Sequence, residues 1–154
     1  RKGYTEDWIS QRLFSIRVRK NLTFEWRERG VKTNSEYAIL TNDIYRAWSD
    51  MTAREYKTFK GLANESLRDN MTNLELVLNM LAEATTTEIS KERKPRTAAA
   101  NRAVAAQGGR VAGNTRREIE AQTGKRIVSP LTAKQALAEK TAEGIEHPEA
   151  DTTE

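Results

Sequence analysis

Apolar residues recur along residues 4–91 at the three- and four-residue spacing of amphipathic helices, which predicts an all-α fold. The first helix is predicted to begin at Thr5, whose side chain can cap free backbone N–H groups. A second, shorter helix is predicted between Thr23, as its cap, and Gly30. The side chains predicted to face the core from these two helices are Trp8, Ile9, Leu13, Ile16, Phe24 and Trp26.

Helix-start signals continue through the middle of the chain. A connector is predicted at residues 31–40, and a third helix after Thr41. Two capping boxes, in which a threonine and a glutamate three residues later cap each other's backbone, then mark helix starts at Thr52/Glu55 and at Thr72/Glu75. The first box opens a short helix ended by Gly61, Asn64 caps another short helix, and the second box opens the central core helix, about residues 73–90. The predicted apolar stripe of that helix is Leu74, Val77, Leu78, Leu81 and Ala84.

After Pro95 the composition changes to alanine, glycine and basic residues. The pattern predicts an Ala-rich helix over about residues 97–107, a break at Gly108-Gly109, a second helix over about 110–123 and a short helix over about 131–140. The predicted architecture is a helical bundle followed by a basic Ala/Gly-rich helical arm and a disordered acidic tail. Its three parts are the bundle domain at 4–91, the arm at 92–142 and the tail at 143–154.

Composition bounds the class of protein. The 154 residues contain 37% apolar and 31% charged residues, which suits one moderate core together with a segment outside it. There is no cysteine, so disulfides and thiolate chemistry are excluded. No apolar run approaches the roughly 18 residues of a membrane-spanning helix. We therefore expect a soluble, cytoplasmic protein without a membrane partner.

Charge is segregated along the chain. Residues 91–134 contain eleven Lys/Arg and three Asp/Glu, a net charge of +8, whereas residues 135–154 contain one and six, a net of −5. A basic segment of this kind attracts polyanions, and binding to phosphates would be strongly salt-dependent. An acidic protein surface is the alternative partner, and the absence of aromatic residues in this segment argues against base stacking by it. The candidate nucleic-acid or partner contacts are Arg93, Lys94, Arg96, Arg102, Arg110, Arg116, Arg117, Lys125 and Arg126.

Two motifs resemble known binding elements without matching them. The helices predicted at 42–49 and 53–60 have helix-turn-helix spacing, with Arg54, Lys57 and Lys60 on the second helix, but an ordinary helical hairpin is favoured in this net acidic region. Gly108 to Thr115 has the two glycines of a phosphate-binding loop, yet Asn114 replaces the essential lysine, so nucleotide binding is rejected.

Catalytic chemistry finds no support in the sequence. The single histidine, His147, lies in the acidic tail, and no nucleophile–base pair or zinc-ligand spacing is present. We therefore expect no enzyme activity, no cofactor, no metal and no small-molecule substrate.

A succession of segments carries a family resemblance: Lys60 to Leu62, Asn64 to Leu76, Met80 to Ile89, Asn101 to Ala106, Gly108-Gly109, Val111 to Gly113 and Arg117 to Glu120. This succession resembles the C-terminal region of bacterial DNA-damage-inducible protein D and of related prophage antirepressor-type proteins with a Bro N-terminal domain. The resemblance implies a bacterial or prophage protein of the DNA-damage response, in a family associated with modulating the RecA filament. It brings no catalytic residues, and the Bro-type DNA-binding domain is not part of this chain.

The resulting hypothesis is a non-enzymatic regulatory module that acts through DNA or a nucleoprotein filament, with the basic arm as its contact surface. The alternative is an oligomerisation module that assembles a separate N-terminal DNA-binding domain. Its basis is the four-residue spacing of Gly109 and Gly113, which would allow close packing against another chain.

Overall fold

The computed structural model describes the backbone of residues 3–146 and the side chains of residues 3–141. Its helices are α1 (Glu6–Glu28), α2 (Asn34–Ser49), α3 (Ala53–Phe59), α4 (Asn73–Arg93), α5 (Ala98–Thr123) and α6 (Ala133–Glu146), with a 3₁₀ turn at Arg68–Asn70. No strand occurs in these residues, so the predicted all-α class is confirmed. None of the helices described is long and apolar enough to cross a membrane.

Threonine side chains begin the main helices. Each accepts a hydrogen bond from a backbone N–H three residues later, which satisfies one of the donors that a helix start leaves free. The capping residues of α1 to α5 are Thr5, Thr33, Thr52, Thr72 and Thr97. The two capping boxes predicted from the sequence are confirmed, and a third one opens α2.

The four long helices form a bundle in which α4 is central. α1 packs against α4, and α5 packs against both α4 and α2. α1 and α4 run in the same direction, because Trp8 donates to the carbonyl of Met71 just before α4 starts and Ser90 near its end donates to Glu25. α2 and α5 run the opposite way, since both follow short turns from those helices.

The first two predicted helices are one continuous helix, and the prediction of a break at Thr23 is wrong. The residues that α1 buries include Leu22 and Trp26. The prediction that Leu13, Ile16 and Phe24 face the core is wrong, because all three are exposed. The prediction of a connector at 31–40 is also wrong. α2 begins at Thr33, and Thr41 lies inside it with its hydroxyl donating to the carbonyl of Tyr37, 2.7 Å away.

The basic arm is not a separate element. α5 is a single helix of 26 residues that runs through Gly108 and Gly109 without a break. A Cβ at Gly109 would lie 2.6 Å from the Cβ of Ala47, and one at Gly108 would lie 2.8 Å from the Cα of Thr86. The missing side chains therefore let α5 approach α2 and α4 at the same time. The hydrophobic core continues across the predicted boundary between residues 91 and 92 and includes Ala105, Ala112, Ile127, Val128 and Ala133.

The buried face of α4 differs from the predicted stripe. Leu78 of that stripe is buried as predicted, but Leu74 and Val77 are exposed, and the buried face also includes Leu76 and several polar residues. Several of these polar residues have partners on other elements, whereas Thr86 and Thr87 donate to carbonyls of α4 itself. Glu83 pairs with Arg19 and Arg68 at 3.1 and 2.6 Å, and Asn79 accepts a hydrogen bond from Trp48. The polar residues buried along α4 are Glu75, Asn79, Glu83, Thr86, Thr87 and Ser90.

Two shorter predictions also need correction. Asn64 caps no helix, and a 3₁₀ turn without a side-chain cap follows Leu67 instead. α6 extends to Glu146, so residues 143–146 of the predicted disordered tail are helical. The remainder of that predicted tail, residues 147–154 with His147, lies outside the described residues.

Candidate nucleic-acid interface

One end of the bundle collects basic residues from four helix termini. α1 and α4 end there, and α2 and α5 begin there after short turns. We call this surface the basic end, and it comprises Arg27, Arg29, Lys32, Lys91, Arg93, Lys94, Arg96 and Arg102. Acidic residues also lie in these segments, namely Glu28, Glu36, Glu88 and Glu92. The excess of positive charge is therefore concentrated in the turn between α4 and α5 rather than spread evenly.

The geometry of that turn directs its cations outward. Lys94 adopts a left-handed backbone conformation with φ of 51°, and Pro95 after it is buried. Lys94 and Arg96 therefore flank a buried anchor and are themselves exposed. Arg93 is held by Gln107 of α5, with 2.7 Å between its guanidinium and the side-chain oxygen.

Two helix N-termini add positive potential at the same end, because the free N–H groups of a helix start carry partial positive charge. The first turn of α5 contains no acidic residue that would offset this charge. The first turn of α2 contains Glu36, whose pKa is lowered by hydrogen bonds from the backbone N–H groups of Thr33 and Lys32. The start of α5 is thus the more attractive of the two for an anion.

A cavity of about 250 Å³ opens between the starts of α2 and α5. Its wall is mixed, with the apolar side chain of Ile39 beside the basic side chains of Arg29 and Arg96. Arg29 is fixed by Glu25 at 2.7 Å. The buried amide of Asn101 donates to the carbonyl of Thr97, and within the described part of the chain its oxygen has no hydrogen-bond partner.

The structure brings only some of the predicted contact residues together. Arg93, Lys94, Arg96 and Arg102 lie at the basic end. Arg102 donates two hydrogen bonds of 2.8 and 3.0 Å to Asp43 at this end. These hydrogen bonds and the negative charge of Asp43 raise the pKa of Arg102.

The other predicted residues lie along α5 or beyond it. Arg110 and Arg117 are exposed on the helix, and Lys125 and Arg126 follow its end, about 40 Å from its start at 1.5 Å per residue. Arg116 is only 7% exposed. It donates to the carbonyl of Trp48 and pairs with Asp50 and Glu120 at 2.9 Å each, so its charge is satisfied inside the protein.

The contribution of α1 and α2 to the basic end was not predicted from the sequence. Arg27, Arg29 and Lys32 surround Gly30, which has φ of +92° and marks the turn between the two helices. A basic cluster around a helix-ending glycine is visible in the sequence. Only the three-dimensional structure shows that this turn and the turn after α4 lie at the same end of the bundle.

The predicted helix-turn-helix pair does not hold all of its basic residues at the surface. α3 has only seven residues, and Lys60 after it is buried with its ammonium group 2.7 Å from Glu75. Tyr56 donates to the same carboxylate at 2.7 Å. The pair of helices is therefore a structural hairpin in which Lys60 faces the interior.

The buried cluster of Lys60, Glu75 and Tyr56 has acid–base groups but no access to solvent. Burial lowers the pKa of Lys60, and burial together with the charge of Glu75 raises the pKa of Tyr56 well above its usual value. Ser129 and Leu131 complete the cluster through their backbone, since Ser129 donates to Glu75 and both carbonyls accept from Lys60. The cluster joins the segment after α5 to α4. No group of metal-ligating side chains occurs in the described residues.

The comparison with protein families gives one result. A family model described as the DinD C-terminal domain matches residues 14–135, which spans α1 to the start of α6. No curated protein and no solved structure matches the chain.

Proposed function

Since this chain belongs to the DinD C-terminal domain family, a module of DNA-damage-inducible proteins, we propose that it acts without catalysis as a regulatory module that contacts DNA or a RecA-type nucleoprotein filament. The observation that carries this proposal is the basic end. It combines exposed cations of the turn at residues 93–96 with the N-terminus of α5, whose first turn contains no acidic residue. Phosphate groups are the ligands that such a surface attracts most strongly.

The proposed contact surface is smaller than the +8 segment suggests. Arg102 and Arg116 are neutralised by partners within the bundle, and Lys125 and Arg126 lie at its other end. A compact surface of a few cations supports a modest number of phosphate contacts. Binding to free DNA should therefore be weak at physiological salt and clear at low salt.

A salt titration with paired variants tests this proposal. The double variant Lys94→Ala/Arg96→Ala removes two charges from the basic end, and Lys125→Ala/Arg126→Ala removes two from the opposite end. For a duplex we expect the first variant to lower the slope of log K against log salt by roughly 1.8, at about 0.9 per lost phosphate contact. The second variant should leave the slope unchanged. Equal effects of both variants, or no binding of either DNA form by the unaltered chain at low salt, would contradict the proposal.

A second candidate function is oligomerisation. Gly109 and Gly113, which suggested it from the sequence, are used inside the chain for the approach of α5 to α2. The observation that favours it is different: Leu74 and Val77 of α4 are exposed on one side of the bundle. Light scattering over a range of protein concentrations tests it, and a monomer throughout would count against it.

A further inference from the structure

The outer face of α1 carries a regular stripe of exposed apolar and basic residues. Its members recur at alternating spacings of four and three residues and are all exposed: Leu13, Arg17, Lys20, Phe24 and Arg27. Leu13 is 62% exposed and Phe24 56%. Phe14, on the flank of the stripe, is 53% exposed. Large apolar side chains this exposed at helical spacing mark a surface that a partner covers.

The stripe places one aromatic ring, that of Phe24, among cations. The guanidinium of Arg27 lies 6.0 Å from the ring centroid of Phe24, on the outside of the bundle. Arg17 and Lys20 form no ion pair within the described part of the chain. α1 packs on α4 through its opposite face, where Leu22 and Trp26 are buried, so the bundle itself does not use the stripe.

We infer that the outer face of α1 is a binding platform for single-stranded nucleic acid, with Phe24 as a stacking surface for bases and Arg17, Lys20 and Arg27 as phosphate contacts. This inference rests on the proposed function and names the form of nucleic acid. Aromatic side chains interleaved with cations are the usual means of holding a single strand without sequence preference. From Leu13 to Arg27 the stripe spans about 21 Å at 1.5 Å per residue.

The position of the stripe connects it to the basic end. Arg27 lies in the last turn of α1, beside the turn that contributes Arg29 and Lys32. A strand that lies along α1 can therefore continue onto the basic end. The basic segment after Pro95 has no aromatic residues of its own, and α1 supplies them.

Two other occupants fit the stripe less well. A DNA duplex keeps its bases stacked inside, so their faces are not available to Phe24. A second copy of the chain packed antiparallel through α1 would place Leu13 opposite Phe24, but it would also place Arg17 opposite Lys20. Like charges directly opposed across such a contact are destabilising.

Fluorescence anisotropy with the whole chain and a labelled oligothymidine of about 15 nucleotides tests the inference at low salt. Phe24→Ala is expected to weaken binding roughly 5- to 150-fold, the range for losing one stacked base. Phe59→Ala is the matched control, because Phe59 is also exposed, at 41%, but lies on α3. Arg17→Ala/Lys20→Ala should lower the salt slope by about 1.4, at roughly 0.7 per single-strand phosphate contact. Circular dichroism of each variant confirms that it is folded.

The possible outcomes separate this inference from the proposed function. The inference is supported if Phe24→Ala weakens oligothymidine binding, Phe59→Ala does not, and duplex binding by Phe24→Ala is unchanged. Unchanged oligothymidine binding in Phe24→Ala overturns it, and the proposed function still stands if Lys94→Ala/Arg96→Ala weakens duplex binding. A dimer in light scattering that Phe24→Ala converts to a monomer also overturns it, because the stripe is then a protein interface. Failure of the unaltered chain to bind either DNA form removes the DNA proposal and this inference together.

Discussion

α1 and α5 are the two longest helices, with 23 and 26 residues, and their positions are the reverse of what their composition suggests. α1 is rich in large apolar residues, yet it lies at the edge of the bundle and exposes Leu13 and Phe24. α5 is rich in alanine, glycine and arginine, yet it packs between α2 and α4. The helix with more large apolar side chains is thus the one with the free face.

The difference shows that close packing depends on shape as well as on hydrophobicity. Gly108, Gly109 and Gly113 let the backbone of α5 approach two neighbours, so many atoms come into contact although each side chain is small. α1 reaches its neighbour through large side chains on one face, and the large side chains on its other face are left without a partner. Exposure on α1 therefore points to binding, and small residues on α5 point to structure.

Replacing one buried and one exposed aromatic residue of α1 tests this division most strongly. Trp26→Ala should lower the free energy of unfolding by about 3–5 kcal/mol, because Trp26 is fully buried and its loss leaves a cavity. Phe24→Ala should change it by only about 0.5 kcal/mol or less, as expected of a surface position. Urea unfolding followed by circular dichroism measures both. Similar losses in the two variants would mean that Phe24 is covered and that α1 has no free face.

The sequence predicts where helices begin more accurately than how the helices pack against one another. Threonine capping boxes at Thr52 and Thr72 are short-range signals, and the structure confirms both. The break predicted at Gly108-Gly109 was wrong because glycine is poor in an isolated helix, while here tertiary packing compensates. The helix start predicted at Thr23 is wrong for a similar reason, because the packing of Leu22 and Trp26 holds the backbone around Thr23 within one helix.

The candidate site was only partly predictable for the same reason. Arg93, Lys94 and Arg96 are close in sequence, and their clustering was evident. Arg29 lies near this cluster only because of the directions in which the helices run. No local sequence pattern indicates those directions. Arg116 looks the same in sequence as its neighbour Arg117, and only the three-dimensional structure shows that one is buried.

Gly109→Ala tests whether α5 is part of the core. In a free helical arm this change should increase stability by about 1 kcal/mol, because alanine favours the helix. In the bundle the new methyl group would lie 2.6 Å from the Cβ of Ala47 and 2.8 Å from the carbonyl oxygen of Ile44, so we expect a loss of about 1–3 kcal/mol. Asn114→Ala on the exposed side of α5 is the control and should cause no such loss. The sign of the change in the urea midpoint distinguishes the two arrangements.

The adjacent arginines of α5 separate structural from surface charge. Arg116→Ala leaves the buried carbonyl of Trp48 without its donor, at 2.7 Å in the unaltered protein, and should lower stability by about 1–2 kcal/mol. Arg117→Ala removes the same charge from an exposed position and should leave stability nearly unchanged. Thermal unfolding of the two variants provides the comparison. Equal melting temperatures would show that the contacts of Arg116 contribute nothing to holding α5.

The smallest expected effect concerns the segment that follows α5, whose Ser129 N–H donates to Glu75, the carboxylate that also accepts from Tyr56 of α3. Burial raises the pKa of Tyr56 well above its ordinary value of 10.0. Below about pH 10 its contribution to stability is complete. Above that pH the unfolded chain loses the tyrosine proton while the folded chain keeps it, so stability falls as pH rises. The pKa of Lys60 is lowered, so its titration changes stability with pH in the opposite direction. Comparing variants separates the contribution of the tyrosine from that of Lys60.

Tyr56→Phe should therefore reduce the loss of stability between about pH 9 and about pH 11, measured as the shift in urea midpoint. Tyr4→Phe, at a half-buried position where the ring stacks on Trp8, is the matched tyrosine control. The buried hydroxyl is replaced by hydrogen, and Ser129 and Lys60 still bind Glu75, so the variant is expected to fold. If Tyr56→Phe lost stability with pH as steeply as the unaltered chain, Tyr56 would not be what makes this junction sensitive to alkali. The segment after α5 would then be held at high pH by the hydrogen bonds that Glu75 and Lys60 make with its backbone, independently of Tyr56.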